Sequence, residues 1–64
     1  MTLNVYEQAI LRLLKTARRS LTTSQVADKI GISWETAKKY LELLHRNRYV
    51  SMQHKGNRIY WEIK

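Results

Sequence analysis

The chain has 64 residues and no cysteine, so it has room for one small domain and excludes disulfides and thiolate metal sites as stabilising cross-links. Twelve lysine and arginine residues against five acidic residues give a net charge of +7, which excludes an acidic protein and fits a polyanionic partner such as nucleic acid. A generally basic protein would carry the same net charge, so only the placement of the charges can distinguish it from a nucleic-acid-binding protein.

The first predicted element is a helix that begins after Asn4. Asn4 can cap it, and Glu7 three positions later can reach back to the cap, as in a capping box. The helix is expected to end near residues 17–19, where basic side chains complement the negative end of its dipole. Val5 and Leu11 lie off its apolar stripe, so each is either an isolated exposed side chain or part of a contact with another chain. The stripe itself consists of Leu3, Tyr6, Ile10, Leu13, Leu14 and Ala17.

The next stretch is short and partly β-branched. Leu21-Thr22-Thr23 predicts either an extended connection or a minimal edge strand. Thr22 with Gln25 forms a second capping-box candidate, which starts a helix of about Thr23 to Ile30. Gly31 can then take the left-handed conformation that ends a helix.

A third helix is predicted from about Trp34 to Asn47. Ser33 is a good N-cap for it, and its polar face carries more positive than negative charge. Leu43 falls on the outward arc, where it either meets a neighbouring chain or is a tolerated exposed leucine. A helix, a glycine turn and a capped basic helix form a helix-turn-helix pattern. The inward stripe comprises Ala37, Leu41 and Leu44, and Arg48 can close it with its aliphatic stem.

After the third helix the period of the apolar residues changes to two. Apolar and polar residues alternate in Tyr49–His54 and again in Arg58–Ile63, which predicts two half-buried strands. Between them, Lys55-Gly56-Asn57 has the chemistry of a turn, because glycine and asparagine both tolerate positive φ. The sequence therefore predicts a β-hairpin with a basic tip. Ile59, Trp61 and Ile63 belong on its core face, and Tyr60 faces the opposite side.

This order of elements, over about residues 4–63, resembles the winged helix-turn-helix domains of transcription regulators. The resemblance implies an α+β fold in one domain of residues 1–64. That fold has three helices and a C-terminal two-stranded wing, with the third helix as the recognition helix. The residues that carry the resemblance are 21–27 leading into Gly31-Ile32-Ser33, Thr36-Ala37 with Leu41, Leu44, Tyr49 and Val50, and the strand Tyr60-Trp61-Glu62-Ile63.

Two positions depart from the family pattern. The turn before the wing usually has a glycine where this chain has Arg48, so Asn47 is expected to take the left-handed cap instead. Winged helices that bind left-handed DNA carry an asparagine and a tyrosine on the third helix and prolines on the wing. Here Lys38 and Glu42 fall at those helix positions and the chain has no proline, so only Trp61 matches. The specialised left-handed interpretation is therefore disfavoured.

The predicted DNA contacts fall at the start of the third helix, on the wing and at the start of the second helix. The first turns of a recognition helix lie closest to the bases of the major groove, and helix amides and wing cations face phosphates. Arg18 and Arg19 can extend the backbone contact at the start of the second helix. Three of these residues have an alternative role. Trp34 can pack over the second helix, Glu35 can serve the helix dipole, and Thr36 can close the first turn. The full set is Thr23, Trp34, Glu35, Thr36, Lys38, Lys39, Lys55, Asn57 and Arg58.

The sequence favours a sequence-specific double-stranded DNA-binding protein that acts as a small transcriptional regulator or repressor. The alternative is a winged-helix protein–protein interaction module within a larger nucleic-acid-processing assembly. Single-stranded binding would need exposed aromatics among basic residues, and only Trp34 and Tyr60 are candidates. A homodimer is expected, if at all, through Val5 and Leu11 of the first helix.

Several classes of function are not expected. The chain has no nucleophile–base–acid grouping, no phosphate-cradling glycine loop and no metal-ligand set, so neither enzyme activity nor a cofactor is expected. A small-molecule ligand is not expected either. Because no apolar run reaches the length of a membrane span and no leader is visible, the expected location is the cytoplasm, associated with the nucleoid, or the nucleus.

Overall fold

The computed structural model describes residues 2–64 as an α+β fold of three helices and one antiparallel sheet. The elements are α1 (Val5–Ala17), β1 (Leu21–Thr22), α2 (Thr23–Ile30), α3 (Trp34–Arg46), β2 (Val50–Lys55) and β3 (Arg58–Ile63). Strand β3 lies at the centre of the sheet, between β1 and β2. The predicted architecture is confirmed, and the short stretch before α2 is a true edge strand, because Leu21 and Thr22 pair with Trp61 and Tyr60.

Each helix begins with the side-chain cap that the sequence predicts. The Asn4 side chain accepts from the Glu7 amide at 2.8 Å, and the Glu7 carboxylate accepts from the Asn4 amide at 3.0 Å. Thr22 and Gln25 repeat this reciprocal arrangement at the start of α2, at 3.1 Å and 2.9 Å. Ser33 caps α3. Each such cap contributes about 1 kcal/mol to stability, so the three helix starts are specified locally.

The core lies between the helices and the inner face of the sheet. Trp61 is its largest fully buried side chain, with 1% of its surface exposed. The indole Nε1 of Trp61 donates to Thr23 Oγ1 at 2.8 Å, so the one polar atom of the buried ring has a partner. The buried apolar residues are Ile10, Leu14, Leu21, Val26, Ala27, Ala37, Leu41, Leu44, Val50 and Trp61.

The end of α3 differs from the prediction. Asn47 has φ −91° and Arg48 has φ 67°, so the expectation of a left-handed Asn47 is wrong. The Asn47 amide still continues the helical pattern by donating to Leu43 O at 3.1 Å, and the chain therefore reverses one residue later. The Arg48 amide donates to His45 O at 3.0 Å, and the Tyr49 amide donates five residues back at 2.9 Å. This is the Schellman pattern with arginine in the usual glycine position, and Arg48 is exposed rather than extending the buried stripe.

The apolar stripe of α1 is only partly inward. Ile10 and Leu14 are buried as predicted, but Tyr6 is 44% exposed. Its ring stacks on Tyr40 of α3, with centroids 5.4 Å apart. Leu11, predicted to be exposed or in contact with another chain, packs against the core instead. Whether a side chain near the edge of a helical stripe is buried depends on its tertiary neighbours, and the periodicity of the sequence does not show those neighbours.

The hairpin turn is tighter than predicted. Lys55 pairs directly with Arg58, so Lys55 belongs to β2 and the turn consists of two residues. Gly56 has φ 61°, whereas Asn57 is not among the residues with positive φ. Glycine with positive φ in the first turn position is the requirement of a type II′ hairpin. None of the helices within residues 2–64 is long and apolar enough to cross a membrane.

Candidate nucleic-acid interface

A hollow at the tip of the hairpin joins three elements that are separate in the sequence. Its walls come from the start of α2 (residues 22–24), the start of α3 (Trp34) and the wing (Asn57, Arg58 and Ile59), and its volume is about 330 Å³. We call it the tip hollow. The first amides of a helix have no intrahelical acceptor, so two helix N-termini and an arginine meet around one concave surface. Such a surface is suited to an anion.

Trp34 forms the α3 wall of the tip hollow. Its side chain is 47% exposed, so Trp34 is not a fully buried core residue, and it lies beside the start of α2, the helix over which the alternative had it pack. The Lys38 Nζ lies 5.2 Å from the centroid of the Trp34 ring. Residues four apart on a helix share a face, and a cation over an exposed indole gains about 0.5–1 kcal/mol. The pair therefore presents one apolar plane and one positive charge on the same surface.

The two other predicted lysines also rest against aromatic rings. Lys39 Nζ lies 5.4 Å from the centroid of Tyr40, and Lys55 Nζ lies 5.8 Å from the centroid of Tyr60. Both lysines are exposed. These weak contacts reduce the range over which the long side chains move, while leaving the ammonium groups accessible to phosphate oxygens.

Two predicted contact residues use their hydroxyl groups within the protein. Thr23 is only 6% exposed, and its Oγ1 accepts from the Trp61 indole. A contact from the Thr23 side chain is therefore excluded by burial, and what remains for an anion is its backbone amide at the start of α2. Thr36 Oγ1 accepts from Ser33 Oγ at 2.8 Å, while the Thr36 amide donates back to Ser33 Oγ at 3.2 Å. Thr36 thus closes the first turn of α3.

The structure gathers only part of the predicted contact set around the tip hollow. The cation over Trp34 was not predicted, although the spacing of four residues on a helix was visible in the sequence. Ile59 was assigned to the core, and it also lines the tip hollow. The predicted residues that line it are Thr23, Trp34, Asn57 and Arg58. The exposed predicted residues outside its lining are Glu35, Lys39 and Lys55.

The sequence matches one known family over most of its length. Residues 6–64 match the sequence profile of the FaeA-like proteins. No curated protein sequence is significantly similar to this chain.

The fold is shared with several solved structures. The PcaV transcriptional regulator from Streptomyces coelicolor superposes with a TM-score of 0.89 at 18% identity, over 97% of this chain and 45% of PcaV. The homodimeric winged helix-turn-helix DNA-binding domain of a Mycobacterium bovis protein gives 0.84 at 28% identity, over 94% of this chain and 54% of that one. The Zalpha domain of PKZ from Carassius auratus, solved with Z-DNA, gives 0.82 at 20% identity over 92% of both chains. This chain thus spans about half the length of the first two, and it has the winged helix-turn-helix DNA-binding fold of transcription regulators.

Proposed function

We propose that this chain, which belongs to the FaeA-like protein family, is a sequence-specific double-stranded DNA-binding protein that regulates transcription. The observation that carries the proposal is the tip hollow, where two helix N-termini and the basic wing tip converge beside the exposed start of α3. Two of its structural neighbours, the PcaV regulator and the Mycobacterium bovis DNA-binding domain, support the same function.

In this proposal α3 enters the major groove with its first turns against the bases. The groove is wide enough for one helix, and the exposed Trp34 ring can contact sugars or thymine methyl groups there. Lys38 and Lys39 point about 100° apart around the helix, so one can reach a phosphate while the other reaches a base edge. Glu35 at the helix start either accepts from a cytosine amino group or complements the helix dipole.

The tip hollow then holds the backbone of one strand. The amides at the start of α2 face the phosphate from one wall, and Arg58 faces it from the wing. Asn57 and Lys55 extend along the adjacent backbone or minor groove. We infer that regulation acts through occupancy of a promoter, which gives repression.

A salt titration tests the proposal. If five or six phosphates are neutralised, the logarithm of affinity falls with the logarithm of salt concentration at a slope of roughly −5. The double variant Lys38→Glu with Lys39→Glu should lose binding to a duplex selected from a random pool. The control Arg12→Glu with Lys29→Glu reverses two exposed charges outside α3 and should bind within about threefold of the parent. Equal loss in both variants, or no salt dependence, would contradict an α3-mediated contact.

A second candidate is protein docking through α1, and one observation favours it. Val5 is 77% exposed, and next to it the half-exposed Tyr6 stacks on Tyr40. This small apolar surface also suits a homodimer, the state of the Mycobacterium bovis domain, although Leu11 is occupied by the core. Val5→Glu should dissociate such a complex in sedimentation without changing the salt slope for DNA. The Lys38 and Lys39 reversal should have the opposite pattern.

A further inference from the structure

A second cluster of cations lies at the other end of the wing. The end of α1 and the end of β3 enclose a hollow of about 260 Å³, which we call the base hollow. The predicted set of DNA contacts contains four of the twelve basic residues, and none of these four lines the base hollow. The base hollow is lined by Leu14, Lys15, Arg18, Arg19, Glu62 and Ile63.

The two hollows lie toward opposite ends of β3, because Arg58 and Ile59 line the tip hollow and Glu62 and Ile63 line the base hollow. Ile63 pairs with Val50 at the open end of the hairpin, whereas Arg58 pairs with Lys55 beside the turn. A strand rises about 3.3 Å per residue, so the base hollow lies roughly 16 Å from the wing tip. The longest dimension of the molecule is 33 Å. The cations of the base hollow therefore form a group of their own, separated from the cations of the wing tip by most of the length of β3.

The chemistry of the base hollow is suited to a polyanion. Two guanidinium groups and an ammonium group come from the end of α1, and one carboxylate, that of Glu62, opposes them. Arginine offers paired N–H donors that match the oxygens of a phosphate. Leu14 is buried beneath these groups, which reduces the competition from water on that side. Lys15, Arg18 and Arg19 are exposed and open to a partner.

We propose that the base hollow binds the phosphate backbone of a second DNA segment, so that one molecule of this chain bridges two duplexes. The inference rests on the proposed function, because the first duplex is held by α3 and the tip hollow. A second DNA segment is favoured over an acidic protein for two reasons. Backbone contact requires no shape-matched partner surface, and a protein bound to long DNA is surrounded by other segments at high effective concentration.

A co-capture experiment tests the inference. A biotinylated duplex is immobilised, the protein is added, and the retention of a second, fluorescent duplex is measured at low salt. Lys15→Gln with Arg19→Gln should lower the retained fluorescence about tenfold, because two phosphate contacts are lost. Its affinity for a single short duplex should stay within about twofold of the parent. Arg18 is left in place because it caps α1 with φ 56°.

Two control variants make the result specific. Arg46→Gln with Arg48→Asn removes the same charge from the end of α3, and asparagine tolerates the positive φ of position 48. Co-capture by this control should stay within about twofold of the parent. Glu62→Gln removes the one carboxylate of the base hollow and should raise co-capture above the parent level.

Three outcomes would overturn the inference. The first is a parent protein that binds one duplex tightly and retains no second. The second is a Lys15 and Arg19 variant that loses single-duplex affinity as strongly as co-capture, since these cations would then belong to the first interface. The third is co-capture that this variant leaves unchanged, as expected when pairing between protein copies links the duplexes. Failure of the proposed function itself is distinct, because the parent would then not bind the immobilised duplex.

Discussion

The two tryptophans of this chain show how differently its scaffold and its surface are built. Trp61 is 1% exposed and donates to Thr23, whereas Trp34 is 47% exposed and has the Lys38 ammonium 5.2 Å from the centroid of its ring. Both lie next to the start of α2, because Trp34 and Thr23 line the same hollow. The buried Trp61 ring thus joins the sheet to α2 through its hydrogen bond, whereas the Trp34 ring takes no part in that hydrogen bond.

The difference separates stability from recognition. Burial of a large aromatic ring contributes several kcal/mol to a domain whose total stability is about 5–15 kcal/mol. The exposed half of the Trp34 side chain gains no such stability from burial. An exposed aromatic ring beside cations is typical of a binding surface. Changes at the two rings should therefore affect different measurements.

The largest effect is expected at the buried ring. Trp61→Ala should lower the free energy of unfolding by about 3–5 kcal/mol, because it leaves a large cavity in a small core. Urea unfolding followed by far-ultraviolet circular dichroism measures the loss, and such a variant is expected to be largely unfolded at 37 °C. A cooperative transition with an unchanged midpoint would contradict the role given to Trp61.

A smaller loss is expected when only the polar contact of that ring is removed. Thr23→Val keeps the shape of the side chain but leaves the indole Nε1 buried without an acceptor, which costs about 1–3 kcal/mol. Ser24→Ala, at the exposed neighbouring position, should change stability by less than about 0.5 kcal/mol. Equal unfolding midpoints for the two variants would show that the hydrogen bond is unimportant.

At the exposed ring the effect should move to binding. Trp34→Ala should lower affinity for the selected duplex about tenfold, equivalent to about 1.4 kcal/mol, while changing stability by less than about 1 kcal/mol. Fluorescence anisotropy measures the duplex affinity, and urea unfolding measures the stability. Val5→Ala is the control, because it shortens an exposed apolar side chain outside the tip hollow. A large loss of stability in Trp34→Ala would instead assign this ring to the scaffold.

The smallest effect tests the far end of α3. Arg48→Gly should raise stability by about 0.5–1 kcal/mol, because glycine adopts positive φ without the steric strain of a side chain. Arg46→Gly removes the same charge from within the helix and should lower stability by about as much. Thermal unfolding should therefore show shifts of opposite sign. Shifts of the same sign would mean that charge, and not backbone conformation, dominates.

The fold was largely predictable because its signals are local. The caps at Asn4, Thr22 and Ser33 and the period-two alternation of the hairpin depend on residues close together in sequence, and the structure confirms them. The left-handed residue was placed at Asn47 and not at Arg48, because an arginine in a sequence gives no sign of positive φ. The hydrogen bonds at the end of α3 decide at which residue the chain reverses.

The candidate site was less predictable because it is assembled from distant segments. The sequence placed Trp34 and Asn57 on separate elements and had no means to show that they line one hollow. It could not show either that the Thr23 hydroxyl is taken by an indole 38 residues away. The cations themselves were visible, but their grouping into two opposite ends depends on the register of β3. That every predicted contact touches DNA stays a prediction.

One residue, Thr22, is shared by two elements, and this has a mechanical consequence. It pairs with Tyr60 of the wing and, through its side chain, caps α2. With no linker between the sheet and the helix, the position of the wing is coupled directly to that of α2. If the chain binds a duplex as proposed, a duplex whose groove spacing does not match the distance between wing and α2 should bend to fit, so sequences that bend easily should be preferred at base pairs that the protein never touches.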